Sequence, residues 1–257
     1  MNNTGQNQIL EKGKKIFFAS DFHLGAHSAG DRQEREKLIV RWLDEIQMQT
    51  ASLYLLGDVF DFWFEYRKAV PRGFVRFLGK LAEFSDAGIP VHFFTGNHDV
   101  WIFDYLPREV GLTIHRKPYS ARINGKDFYL AHGDGLGPGD KRFKFLKQVF
   151  TNSFAQWLFG RLHPNLGIAL AQRWSLSSRN VHEVPEEFRG EEGELLLKYS
   201  RQVLKQMHYD FFIYGHRHIP VDYPLNAESR YINLGDWIRH FTYGVFDGEN
   251  FALKKYV

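Results

Sequence analysis

With 257 residues, 44% of them hydrophobic and 25% charged, the chain can bury a large core, and its composition is neither disordered nor fibrous. It contains no cysteine, which removes disulfides and thiolate metal sites, so any metal must sit on nitrogen and oxygen ligands. The formal net charge of +3 suits an anionic substrate or an anionic membrane surface and is too small to argue for nucleic acid.

Residues 1–15 read as a loose polar tail, without the apolar stretch of a secretory signal. No run approaches the ~18 apolar residues of a membrane span, which points to the cytoplasm. Residues 16–20 form a short apolar run, the mark of a buried strand, and lead into Asp21-Phe22-His23-Leu24-Gly25. A helix follows over 31–48, with Ile39, Trp42, Leu43 and Ile46 at helical spacing. A second buried strand, 52–56, ends in Gly57-Asp58. A helix over 73–87 stops at Gly88, and a third strand, 91–95, ends in Gly96-Asn97-His98-Asp99. Residues 119–123 and 127–131 flank Asn124-Gly125, a strong hairpin signal, and the second arm ends in His132-Gly133-Asp134. Residues 135–208 show no convincing strand and read as a helical insertion, a lid within a single domain spanning the chain. The sheet resumes at 211–214, before Gly215-His216-Arg217-His218, and two or three more strands follow. The order is βαβαβ followed by mostly antiparallel β, an α/β (α+β) chain able to form two packed sheets with helices outside.

Five apolar strands thus each end in a polar cluster. These are D-x-H at Asp21 and His23, G-D at Asp58, G-N-H-D at Asn97 and His98, H-G-D at His132, and G-H-x-H at His216 and His218. Strand ends at one edge of an α/β sheet face a common crevice, so these side chains can converge. A lone D-x-H is more often a solvated pair in a loop. All five in this order, each closing a buried strand, leave that explanation little room. A set rich in imidazole, with carboxylate and amide oxygen, suits Mn, Fe, Zn or Co better than Ca or Mg. It is also too large for one ion. Two ions about 3.5–4 Å apart can clamp the attacking and leaving oxygens of a displacement at phosphorus. Asp61 reads as a hydrogen-bond acceptor beside the ligands, and His27 as a surface residue. His115, His163, His182 and His208 lack this context.

The insertion carries Phe143, Leu146, Phe150, Phe154, Trp157 and Leu158 at intervals of three or four, an aromatic stripe expected on one helix. Lys141, Arg142, Lys144 and Lys147 crowd its start. The stripe can pack on the sandwich or on a second subunit of a homodimer, and its inner face can receive acyl chains while its basic rim meets anionic headgroups; a helix this aromatic has surface for both.

In the order D-x-H, G-D, G-N-H-D, H and G-H-x-H, these motifs resemble the calcineurin-like metallophosphoesterases, from residue 16 to the final strands. The resemblance implies a β-sandwich flanked by helices, with Asp21, His23, Asp58 and His218 on one metal. It implies Asp58, Asn97, His132 and His216 on the other, with Asp58 as the bridge. It also implies that His98 contacts a phosphate oxygen or protonates the leaving group. Within that family, the segments DFHLG, GDVFDFWF and HGDGLGPGDKRFKFL are most similar to the UDP-2,3-diacylglucosamine pyrophosphohydrolases of lipid A synthesis. That similarity implies an anionic nucleotide-lipid substrate cleaved to UMP and 2,3-diacylglucosamine 1-phosphate, at the cytoplasmic face of a membrane. Two divalent ions are implied, Mn²⁺ first and Fe, Zn or Co as alternatives. The residues expected to act on substrate are then His98 and Asp58 in catalysis, and Asn97, His98, Asp140, Phe150, Phe154 and Trp157 in binding. Proteobacterial members carry arginine where this chain has His98. A second reading draws on that histidine: a phosphatase or phosphodiesterase for a soluble nucleotide or small phosphoester. A binding module descended from such enzymes would have lost ligands, and here every ligand position is filled.

Overall fold

The computed structural model describes residues 7–26, 32–138, 141–180 and 187–257. Strand β1 (Lys15–Ala19) is followed by helix α1 (Arg32–Gln47), strand β2 (Thr50–Leu55), helix α2 (Val75–Asp86) and strand β3 (Val91–Phe94). A short π-helical turn (Leu106–Val110) then leads to β4 (Thr113–His115). β1 to β4 pair in that order, all parallel. The hairpin β5 (Tyr119–Ile123) and β6 (Lys126–Leu130) turns at Asn124 and Gly125, both with left-handed φ (48° and 79°), as a tight two-residue hairpin requires.

The insertion supplies α3 (Lys141–Thr151), α4 (Ser153–Phe159), α5 (Pro164–Asn180), α6 (Gly190–Gly193) and α7 (Leu195–Leu204). β7 (Phe211–Tyr214), β8 (Pro220–Pro224) and β9 (Arg230–Leu234) complete a five-stranded sheet in the order β5-β6-β7-β9-β8. β10 (Thr242–Phe246) and β11 (Phe251–Lys255) return antiparallel to the edge of the first sheet, which becomes six-stranded.

Period-two alternation sorts each strand between two layers. Ile16 and Phe18 point into the sandwich, where they meet Phe128, Leu130, Phe211 and Ile213 of the other sheet. Phe17 and Ala19 point outward under α1, which buries Ile39, Trp42, Leu43 and Ile46 as its spacing predicts. The outer face of the second sheet, Tyr129, Phe212 and Tyr214, is covered by Leu196 and Leu197 of α7.

Three expectations change. The second sheet is not mostly antiparallel: β6, β7 and β9 run parallel. The insertion between β6 and β7 is long enough to carry the chain back to the starting edge, which parallel pairing demands. Residues 7–14 are not a loose tail. Gln8 N–H donates to the Arg122 carbonyl (2.8 Å), its carbonyl accepts from Asn124 N–H (2.9 Å), and Leu10 N–H donates to Asn124 Oδ1 (2.8 Å). The aromatic stripe is not one helix. Asn152 breaks it, its side-chain oxygen capping α4 by accepting from Phe154 and Ala155 N–H at 3.0 and 3.1 Å. Among the described residues no helix is long and apolar enough to cross a membrane.

Candidate active site

The metal-competent side chains all leave the C-terminal ends of parallel strands. Asp21 and His23 follow β1, Asp58 follows β2, Asn97 and His98 follow β3, His132 follows β6, and His216 and His218 follow β7. The loops are laced together by backbone hydrogen bonds: Asp21 N–H to the Gly57 carbonyl and His23 N–H to the Asp58 carbonyl, each 3.0 Å, and Gly215 N–H to the His132 carbonyl at 3.0 Å. Carboxylates cross between them. Asp21 Oδ2 accepts from His216 N–H (3.0 Å), and Asp58 Oδ1 accepts from His98 N–H (2.9 Å). Two glycines allow this closeness, since a Cβ on Gly96 would collide with the Asp58 carboxylate and one on Gly215 with that of Asp21.

Five of these residues hold left-handed backbone that non-glycine residues avoid: Asp21, His23, Asp58, His216 and His218, with φ between 43° and 68°. Such strain persists only where surrounding structure over-determines it, and here it turns the side chains into one crevice.

Two ligand sets result. Asp21, His23, Asp58 and His218 bring one atom each to within 4.8 Å of one another, and so do Asp58, His132 and His216. Asn97 Oδ1 joins the second set, 3.3 Å from His132 Nε2. Asp58 belongs to both, with Oδ2 3.3 Å from His132 Nε2 and 3.9 Å from His23 Nε2. The donor atoms fit cations. His23 Nε2 and His218 Nε2 face each other at 3.1 Å, and the buried Asp21 Oδ1 beside them, 3.2 Å from His218 Nε2, has no well-directed hydrogen bond. His132 Nδ1 donates to the Leu56 carbonyl (2.8 Å), which fixes the ring and turns Nε2 inward.

The electrostatics agree. Burial, then the neighbouring His218, keeps His23 neutral with its pKa down at about 3, against the pull of Asp21; burial and His132 hold His216 at about 4. Both therefore present lone pairs. Burial works to raise the Asp58 pKa, but His132, His98 and His23 outweigh it and hold the carboxyl well below its usual range. Burial likewise opposes a charged His132, yet Asp58 lifts that ring to about 10, so it carries a proton that a cation would displace.

Several contributors escaped the sequence reading. Asp236 follows β9, its Oδ2 3.9 Å from His218 Nδ1, while its Oδ1 caps Ile238, Arg239 and His240 N–H. Gly235-Asp236 repeats the glycine–aspartate signal of Gly57-Asp58 and could have been found that way. Asp99 accepts from Gly96 N–H (2.7 Å) and Val59 N–H (2.8 Å), tying two ligand loops together; burial, then the charge of Asp58, raises its pKa to about 7. Arg217, between the two histidines of G-H-x-H, is forked onto the buried Glu194 of the insertion at 3.1 and 3.2 Å. Asp61, expected as an acceptor, takes the His98 Nδ1–H on its backbone carbonyl (3.0 Å), with its carboxylate 3.7 Å from His23 Nδ1.

Beside His98 and Asn97 opens a cavity of about 370 Å³, walled by Trp101, Leu146, Phe150 and Phe159. Trp101 Nε1–H donates to the Phe150 carbonyl (2.8 Å), and Lys147 pairs with Asp134 (2.6 Å), so α3 is fastened to two ligand loops. Phe150 lines this cavity. Phe154 and Trp157 do not: they stack on each other, 5.8 Å apart, and stay 69% and 53% exposed. The break at Asn152 rotates α4 so that Ala155 and Phe159 face inward instead. Asp140, expected to touch substrate, lies outside the described residues.

Two ligand sets sharing one buried carboxylate, at the strand ends of a helix-flanked sandwich, are what a metal-dependent phosphoester hydrolase requires, and the chain belongs to the calcineurin-like phosphoesterase family, which matches residues 14–220. The clustered aspartates and histidines form a centre for two divalent cations. The chain is 41% identical over 253 residues to the UDP-2,3-diacylglucosamine hydrolase of Porphyromonas gingivalis, covering 93% of this chain and 97% of that protein. Proteins of the same name from Shewanella piezotolerans and Pseudomonas aeruginosa are each 28% identical, over 225 and 232 residues, covering 87% of this chain and 90% and 91% of their own lengths.

Proposed function

We propose that the chain hydrolyses UDP-2,3-diacylglucosamine to UMP and 2,3-diacylglucosamine 1-phosphate, as the names of its relatives suggest. The observation that supports this most directly is the largely apolar cavity opening beside His98 and Asn97, which offers acyl chains the apolar area they need. Asp21, His23, Asp58 and His218 would hold one cation, and Asp58, Asn97, His132 and His216 the other; Mn²⁺ suits this nitrogen- and oxygen-rich set. Bound there, the cations would supply Lewis acidity, lowering the pKa of water and drawing charge off the phosphoryl group. His98, anchored through Nδ1 to the Asp61 carbonyl, would contact a phosphoryl oxygen or pass a proton to the departing phosphate. Asp58 would act as the shared bridge.

Residues 135–208 would serve as a lid within a single catalytic domain. The acyl chains would enter between α3 and the Trp101 loop, with Phe150 among their contacts. Phe145, Phe154, Trp157, Leu158 and Leu166 remain exposed on this insertion, and Arg161 lies 4.8 Å over the Trp157 ring. These exposed side chains suit peripheral contact with an anionic membrane on the cytoplasmic side, Arg161 meeting headgroups while the aromatics enter the interface. A second copy of the chain would cover the same side chains, and sedimentation with and without anionic vesicles separates the two. The reaction is tested by product analysis of Mn²⁺-loaded enzyme. UMP and the acylated sugar phosphate in equal amounts are expected; release of UDP, or no turnover of this substrate, would overturn the assignment.

A further inference from the structure

A second cavity opens beside the centre. It measures about 300 Å³ and is lined by Leu24, Gly25, Arg32, Arg72, Phe74 and Asn165. It shares Asp61 and Phe62 with the apolar cavity, so those two residues form a partition between the pair. Asp61 stands against the centre from both sides, its carboxylate 3.7 Å from His23 Nδ1 and 3.6 Å from His98 Nδ1. The walls differ in chemistry. The first cavity is lined mostly by aromatic and aliphatic side chains, with Asn97, His98, Asp134 and Lys147 among them. The second brings two arginines together from separate elements, Arg32 at the start of α1 and Arg72 ahead of α2, and among the described residues neither ion-pairs with a carboxylate.

Phe74 gives the second cavity a rigid aromatic wall. Its backbone is left-handed (φ 61°, ψ 17°), strain that a bulky residue adopts only under constraint. Its ring leans on Phe60 (5.0 Å between centroids) and so closely over Gly25 that a Cβ there would lie 3.1 Å from it. A flat ring held in place, an amide at Asn165 from the insertion and two guanidinium groups match a planar base carrying an anionic phosphate. The volume lies at the lower end of the roughly 300–1,000 Å³ usual for small-ligand pockets.

We propose that this cavity is the subsite for the nucleoside monophosphate half of the substrate, with Arg32 and Arg72 on its phosphate and ribose side and Phe74 and Asn165 against the base. This rests on the reaction proposed above. A pyrophosphate that joins a lipid to a nucleotide needs two unlike compartments flanking the bond to be cut, and the partition at Asp61 and Phe62 supplies them.

The test is calorimetric titration of the Mn²⁺-loaded protein with UMP and, separately, with inorganic phosphate. UMP should bind the wild type more tightly than phosphate. The double variant Arg32→Ala/Arg72→Ala should weaken UMP at least about tenfold more than it weakens phosphate, because the arginines reach the ribose as well as the phosphate, and about tenfold is the loss expected for one charge-assisted hydrogen bond. Asn165→Ala should weaken UMP alone. Arg76→Ala, which removes an exposed arginine of α2 outside the cavity, should change neither. A parallel loss of UMP and phosphate would show that the arginines act only on the anion at the metals. An unchanged UMP affinity would show that the nucleotide lies elsewhere. Either result overturns the proposal. No lipid and no turnover enter the measurement, so its failure is separate from a failure of the product analysis.

Discussion

Replacing Phe150 by alanine should separate the lipid half of recognition from the phosphoester chemistry. Phe150 is half-buried at the end of α3, with its ring 5.2 Å from Trp101 on the wall of the cavity beside His98. An aromatic side chain buries roughly 150–250 Å², and an acyl chain lying along one side would cover about a third of it, roughly 50–80 Å². At about 25 cal/mol per Å² the truncation removes roughly 1.3–2 kcal/mol of binding, which corresponds to a rise of roughly eight- to thirtyfold in KM. The anchor of the lid survives, because it is the Phe150 backbone carbonyl that accepts from Trp101 Nε1–H and from Gln156 Nε2–H (2.9 Å). The assay compares KM for UDP-2,3-diacylglucosamine with KM for bis(p-nitrophenyl) phosphate, which requires only the centre. An equal loss on both substrates would make Phe150 a structural support of the site, and no change on either would place the acyl chains elsewhere; both refute the reasoning. The double variant Phe154→Ser/Trp157→Ser should leave both KM values near wild type in detergent and should lower the fraction of protein that sediments with anionic vesicles.

Asp58→Ala removes the one carboxylate common to both ligand sets, so metal content should fall at both positions and turnover by more than the roughly 10–100-fold typical of residues one layer behind a metal; elemental analysis with two ions retained would contradict the bridging role. Chelation should abolish activity, and Mn²⁺ should restore it where Ca²⁺ does not, because these donors are imidazole-rich; full turnover by chelated, metal-free protein would refute metal dependence. His92 and His115, away from the centre, share a hydrogen bond (Nδ1 to Nε2, 3.0 Å), and burial holds both pKa values at about 4, with His115 also lowering that of His92. Their folded-state pKa lies below the unfolded value of 6.5, so the unfolded chain takes up protons there first. Stability from this pair is complete above about pH 6.5 and declines as the pH falls towards 4. Thermal unfolding of His92→Phe/His115→Phe should therefore show a shallower fall in Tm across that window than wild type, and an identical fall would discount the pair.

The ligand set was legible in the sequence because each member is local to a strand end. Asp21-x-His23, Gly57-Asp58, Gly96-Asn97-His98 and Gly215-His216-x-His218 each combine an apolar run with the short turn that follows it, and apolar runs mark buried strands whatever the rest of the fold does. The hairpin at Asn124-Gly125 was legible for the same reason, since its turn chemistry is contained in two residues. Strand direction was not. Nothing in residues 126–130 or 211–214 distinguishes parallel from antiparallel partners, yet only the parallel pairing of β6 with β7 brings His132 and His216 to the edge where Asp58 waits. The aromatic stripe failed as one helix because spacing does not register a cap: a single side chain at Asn152 redirected Phe154 and Trp157 to solvent and turned Phe159 inward. Glu194 and Arg217, 23 residues apart in the chain and forked together in the fold, leave no mark on periodicity at all. Residue type and strand ends determined which atoms could do chemistry. Pairing direction, caps and long-range contacts, which depend on how separate segments pack, decided where those atoms meet and which cavities open beside them.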